Sequence, residues 1–168
     1  MASVEDNALY LREIQREYIN FLDDENDNGT YQKKVLSMIS SGHHRLIVNL
    51  NHLRNKNKER TNKLYTSAHE EIISFQNALK EYVSTHNYAY SSKYDEFLIG
   101  FEGSFGDRHV SPRTLKSQYL NSLVCCEGIV TKCSSVNPKL CRSVHYCPKT
   151  LKTFERRYTD LTSLESFP

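Results

Sequence analysis

The residue types that could carry chemistry crowd into the last third of this 168-residue chain. Between residues 123 and 147, two runs with strand character flank a polar break at Ser134, Ser135, Asn137 and Pro138. Lys132, Lys139 and Arg142 fall close to that break. Basic side chains at the bend of a curled sheet suit a small barrel that holds a phosphate backbone. They read equally well as the solvated edge of a basic hairpin. All five cysteines, Cys125, Cys126, Cys133, Cys141 and Cys147, lie in the same third. Structural zinc takes four ligands at close spacing, commonly from paired C-x-x-C units. Cys147-Pro148-Lys149-Thr150 supplies one sulfur, so with His145 it amounts to two ligands, and the expectation is no metal. An odd number of cysteines without secretory context reads as free thiols, buried or half-buried.

Other chemistry is excluded by what the motifs lack. The phosphate loop G-x-x-x-x-G-K-[ST] does not occur, and the glycines at 100, 103 and 106 have neither the lysine nor the following helix. The seven histidines sit at no spacing that pairs a base with a nucleophile. The chain is therefore expected to hydrolyse nothing and to hold no cofactor.

Charge is unevenly spread. Residues 1–28 hold eight acids against two bases, whereas residues 108–158 hold ten bases against Glu127 and Glu155. A basic block of this kind is an electrostatic footprint for nucleic acid, or a solvated face of a mildly basic domain. No apolar run reaches membrane-span length and the start is acidic, so an intracellular chain is expected, away from membranes.

The elements that must position these residues follow from periodicity. Leu11, Ile14, Tyr18, Phe21 and Leu22 form one stripe of a helix over 9–24. Thr30 reads as the cap of a second helix with Tyr31, Val35, Met38 and Ile39 inward and Gly42 just past its end. Residues 45–50 read as extended, Asn51 as the cap of a helical turn over 51–57, and residues 61–85 as one long helix with Leu64, Ala68, Ile72, Phe75, Leu79 and Tyr82 inward. After a polar segment at 86–92, residues 94–101 read as a strand or an apolar elbow. Ser111 is expected to cap a short helix with Pro112 at its first position and Leu115 and Tyr119 inward, and as a Ser-Pro pair it is also a minimal phosphosite. Strands are expected over 123–130, 140–146 and 153–158. The fold class is α+β, with a bundle of about four helices over 1–104 followed, over 112–168, by roughly half of a barrel.

Glu127-Gly128-Ile129-Val130-Thr131-Lys132, followed by Ser134, Val136, Pro138 and Lys139, resembles the signature of the minichromosome maintenance (MCM) family, the subunits of the ring-shaped replicative DNA helicase. Residues 12–35, 45–64, 103–115 and 143–164 are similar to the amino-terminal region of its subunit-three branch. The resemblance implies a helical subdomain, then an OB-fold barrel interrupted by a zinc-binding insertion, with threonine at 150 where the insertion's second cysteine is expected. It implies an ATPase module outside this sequence, where ATP and Mg would act. It also implies single-strand contact through Lys132, Lys139 and Arg142, with Arg156 and Arg157 behind them. Other MCM subunits, single- and double-stranded DNA and replication-initiation factors are the implied partners, and the nucleus the implied compartment. The rival readings are a truncated, non-catalytic interaction module that binds replication partners and a free-standing single-strand-binding protein.

Overall fold

This computed structural model describes residues 4–24, 29–140 and 142–158, with side chains from residue 9 onward except that of Arg157. Helix α1 spans Val4–Leu22 and buries the expected stripe, with Ile14, Tyr18, Phe21 and Leu22 in the core and Leu11 packed against it. Helix α2 spans Thr30–Ser40. Its cap is Gly29 in a left-handed conformation, and Thr30 is the first helical residue rather than the cap. Gly42 has φ 71°, the left-handed turn that closes a helix, and it lets His43 donate back to the Met38 carbonyl at 3.0 Å.

Strand β1, Arg45–Asn49, confirms the extended segment and alternates, burying Leu46 and Val48. The cap of helix α3, Leu50–Lys56, is Asn49, whose side chain accepts from the Asn51 N–H at 2.9 Å. Asn51, read as that cap, is the donor instead.

The long helix over 61–85 is two helices, α4 at Lys58–Thr66 and α5 at Ala68–His86. No glycine or proline marks the break. Asn121, held at φ 58°, supplies its carbonyl to the Ala68 N–H at 2.9 Å and its side-chain oxygen to the His69 N–H at 3.2 Å. Two amides at the start of α5 thus take partners from a distant loop instead of the preceding turn. The apolar register persists across the break, so Leu64, Ala68, Phe75, Leu79 and Tyr82 are buried as the periodicity requires. The polar segment after α5 forms a further helix, α6 at Tyr88–Lys93, capped by the Asn87 side chain on the Tyr90 N–H.

Strand β2, Leu98–Glu102, lies parallel to β1 with Leu46 beside Ile99 and Val48 beside Phe101. The core gathers α1, α2 and α5 around these strands. Tyr18 stacks on Phe75 at 4.0 Å between centroids, and Phe21 meets Phe75 edge-on. Inside lies one buried ion pair. Arg60 Nη1 donates to Glu71 Oε1 at 3.0 Å, and its other nitrogens hold Glu17 at 2.7 and 2.9 Å. Tyr18 donates its hydroxyl to Glu71 Oε2 at 2.7 Å. Burial opposes the Arg60 charge, but the hydrogen bonds to Glu17 and Glu71 outweigh it and hold its pKa up. Burial together with the Glu71 carboxylate holds the Tyr18 phenol up.

The helices and residues up to Glu127 make one compact unit, and residues 128–168 are a second. In the first, Arg108 donates to the Tyr65 carbonyl at 2.8 Å, and β3, His109–Val110, pairs in parallel with β4, Cys125–Cys126. The short helix expected at Ser111 is a turn followed by a 3-10 turn at Ser117–Tyr119. The Thr114 hydroxyl accepts from the Ser111 N–H at 2.9 Å, a local alternative to helix, and Leu115 is exposed rather than inward. The strand expected over 123–130 shrinks to β4. Among the described residues no strand ladder includes 128–140, and Ile129 and Val136 stand 92% and 98% exposed. Strand propensity without a partner ladder leaves backbone groups to water.

The second unit contains an antiparallel hairpin of β5, Arg142–Cys147, and β6, Lys152–Arg157. The runs expected over 140–146 and 153–158 are these strands, but they pair with each other. The hairpin expected around the break at 134–138 is not formed. The architecture is α+β: six helices among the described residues, then short strand pairs that close no barrel there.

Candidate nucleic-acid interface

The hairpin sorts its side chains by register. Directly opposed residues of an antiparallel pair share a face, and successive residues alternate. Ser143 faces Arg156, His145 faces Phe154 and Cys147 faces Lys152. The other face carries Arg142 opposite Arg157, Val144 opposite Glu155, and Tyr146 opposite Thr153. Arg142 and Arg156, grouped in sequence reasoning, are therefore on opposite faces.

Their charges are also engaged differently. Arg142 grips Glu155 with two contacts, Nη2 to Oε2 at 2.8 Å and Nε to Oε1 at 2.7 Å, a forked geometry that neutralises it locally. Arg156 sets its guanidinium 5.5 Å over the Tyr158 ring, whose hydroxyl lies 3.2 Å from that of Ser143. Exposed Phe154 and Tyr158 alternate with Lys152 and Arg156, so this face reads basic, aromatic, basic, aromatic along one strand. A planar ring beside a guanidinium offers a base a stacking surface and its phosphate a counter-charge. Lys132 and Lys139 lie exposed in segment 128–140, which forms neither helix nor strand. The Arg157 side chain lies outside the described residues.

Lys152, Phe154 and Tyr158 were missed in the sequence. Period-two reading of 152–158 carries the signal, but attention to charge alone passes over the aromatics.

The turn after β5 is where the resemblance places a zinc insertion. Cys147 is half-buried, and its thiol pKa is lowered by a hydrogen bond from the Thr150 hydroxyl and then by the backbone N–H groups of Thr150 and Lys149. Those donors converge on sulfur as they do at a metal-binding knuckle, yet Thr150 stands where a second sulfur is needed. His145 Nε2 lies 2.9 Å from the Ser143 hydroxyl. The residues of this turn do not supply a four-ligand set. Cys126 and Cys133 are exposed, not buried or half-buried as expected, Cys125 is half-buried, and Cys141 lies outside the described residues. Ser111 is exposed, with its hydroxyl 3.3 Å from that of Thr114.

A helical subdomain followed by short strand pairs defines an α+β class of protein, and similarity to known proteins specifies it. Residues 15–103 match the family profile of the MCM N-terminal domain and residues 109–166 that of the MCM OB domain, so the chain belongs to the MCM family. The hairpin and the strands before it are thus an incomplete OB fold.

Within that family the chain is 60% identical over 158 residues to the zygotic DNA replication licensing factor mcm3 of Xenopus laevis, covering 94% of this chain and 20% of that protein. It is 52% identical over 159 residues to the DNA replication licensing factor Mcm3 of Drosophila melanogaster, covering 95% of this chain and 19% of that protein. The corresponding mcm3 protein of Schizosaccharomyces pombe is 40% identical over 152 residues, 89% of this chain and 17% of that protein. The chain spans about one fifth of the length of these relatives. No helix among the described residues is long and apolar enough to cross a membrane.

Proposed function

We propose that this chain serves as the amino-terminal region of a subunit of the hexameric MCM ring, the replicative DNA helicase, in origin licensing, replication initiation and fork elongation in the nucleus. The observation that carries this reading is the similarity along 94% of the chain to proteins named as replication licensing factors. The helical unit supplies contacts to neighbouring MCM subunits and to replication-initiation factors. The hairpin supplies a weak, sequence-indifferent contact to DNA.

That contact uses the β6 face. Lys152 and Arg156 neutralise phosphates, Phe154 and Tyr158 stack bases, and Lys132 and Lys139 add charge from segment 128–140. Arg142 contributes less, because Glu155 already balances it. ATP and Mg act in the family's ATPase module, whose phosphate loop is not in this sequence. A second reading, a non-catalytic module that captures partners of the ring, draws on the apolar side chains of Ile129, Val130, Val136 and Leu140, exposed on a segment that forms neither helix nor strand.

Co-expression of the tagged chain with the other five MCM subunits tests the assignment. Retention of those subunits through gel filtration supports it. Elution of the chain alone, while the five assemble with an untagged full-length subunit three, contradicts it.

A further inference from the structure

We propose that His109, Cys125 and Glu127 form a three-ligand site for a divalent cation of the zinc class. The backbone brings them together. In the parallel β3–β4 pair, His109 is the register partner of Cys125. Glu127 follows Cys125 by two residues and so returns to the same face. The Glu127 N–H donates to the Val110 carbonyl at 3.1 Å, which extends the pairing to the third ligand.

The ligand atoms are already near coordination distance. His109 Nδ1 lies 3.8 Å from Glu127 Oε1, and the imidazole nitrogen, the Cys125 sulfur and a carboxylate oxygen all lie within 4.8 Å of one another. A tetrahedral ion with ligand distances of about 2.0–2.3 Å holds its ligand atoms about 3.5 Å apart. Closure therefore asks for side-chain motion of about an ångström, and Glu127, with its side chain 78% exposed, has room to make it. Phe105 meets the His109 ring edge-on at 5.9 Å and limits its rotation.

The donor set selects the ion. A thiolate and an imidazole favour Zn²⁺ and Co²⁺ over Mg²⁺ and Ca²⁺, which take oxygen ligands. On binding, the Cys125 thiol proton passes to solvent and the sulfur donates its electron pair to the cation, without change of oxidation state. A fourth position is left for water. The Cys147 turn contributes no ligand, and the site stands independently of any contact with DNA.

Titration of the 168-residue chain with Co²⁺ under reducing conditions provides the test. One equivalent is expected to give a thiolate-to-cobalt charge-transfer band, with visible ligand-field bands of tetrahedral intensity that Zn²⁺ abolishes. Cys125→Ser removes the charge-transfer band. His109→Ala and Glu127→Gln each weaken binding by about tenfold or more, the least that loss of a direct ligand should cost. Cys126→Ser, Cys133→Ser and Cys147→Ser leave the band in place. The exposed Glu127→Gln variant guards against a folding artefact, checked by circular dichroism. Persistence of the band in Cys125→Ser, its loss in Cys147→Ser, or the absence of any thiolate band overturns the proposal.

Discussion

Replacing Glu71 with leucine should destabilise the helical unit by about 3 kcal/mol. Arg60 and Glu71 are 7% and 1% exposed, so neither can fall back on water. The substitution removes the acceptor of Arg60 Nη1 and of the Tyr18 hydroxyl together and strands two donors in the core. Breaking one side of a buried pair costs about 3–5 kcal/mol. Arg60 keeps both contacts to Glu17, which places the loss at the lower end. For a unit that runs from Met1 to Glu127 that corresponds to a fall in Tm of roughly 10–15 °C. Urea unfolding followed by far-ultraviolet circular dichroism reads the helices directly. The companion is the double variant Arg60→Met with Glu71→Leu, which replaces both charges by apolar volume and should recover a large part of the loss. A cost below about 1 kcal/mol for Glu71→Leu, or a double variant whose cost is the sum of the two single losses, would refute the claim that this pair is buried and coupled.

Other outcomes follow from the same geometry. Asn121→Ala removes the side-chain acceptor of the His69 amide and a residue suited to φ 58°, while the backbone carbonyl that serves the Ala68 amide stays; it should cost about 1–2 kcal/mol and speed hydrogen exchange at the His69 amide, and unchanged exchange there would contradict the break at Ser67. The Arg60 hydrogen bond holds the Glu17 carboxyl below its ordinary 4.5 against burial, so its contribution is full above that pH and is lost as pH falls through the lower folded value; Glu17→Gln should flatten this part of the acid limb. Burial, then the Asp23 carboxylate, pushes the Tyr82 phenol up to about 12, so stability is full below pH 10 and declines between 10 and 12, a slope that Tyr82→Phe should remove.

The helices were legible because apolar residues recur at helical spacing, and the stripe from Leu64 to Tyr82 is buried even where the helix is interrupted. The interruption was not legible, since its cause, Asn121, lies more than fifty residues away. Residues 45–49 read correctly as extended, but their parallel partner follows only after four helices. At 123–130 the residue types favoured a strand more than the structure uses one, because pairing decides whether propensity is realised. At the candidate site the basic residues were visible one by one. Their division between two faces of a hairpin, and the aromatic rings interleaved with one set, required the register. The juxtaposition of His109 with Cys125 likewise depends on strand pairing that no local spacing encodes.

The reading that one hairpin face meets single strands while the other does not is tested most directly by fluorescence anisotropy of a labelled oligothymidine over a series of salt concentrations. Salt-dependent binding is expected. Arg156→Ala should lower the slope of log affinity against log salt by about 0.7, the share of one phosphate contact. Phe154→Ala should weaken binding by about 1–3 kcal/mol with little change in slope. Arg142→Ala should do little. No salt-dependent signal, or a larger loss from Arg142→Ala than from Arg156→Ala, would contradict it.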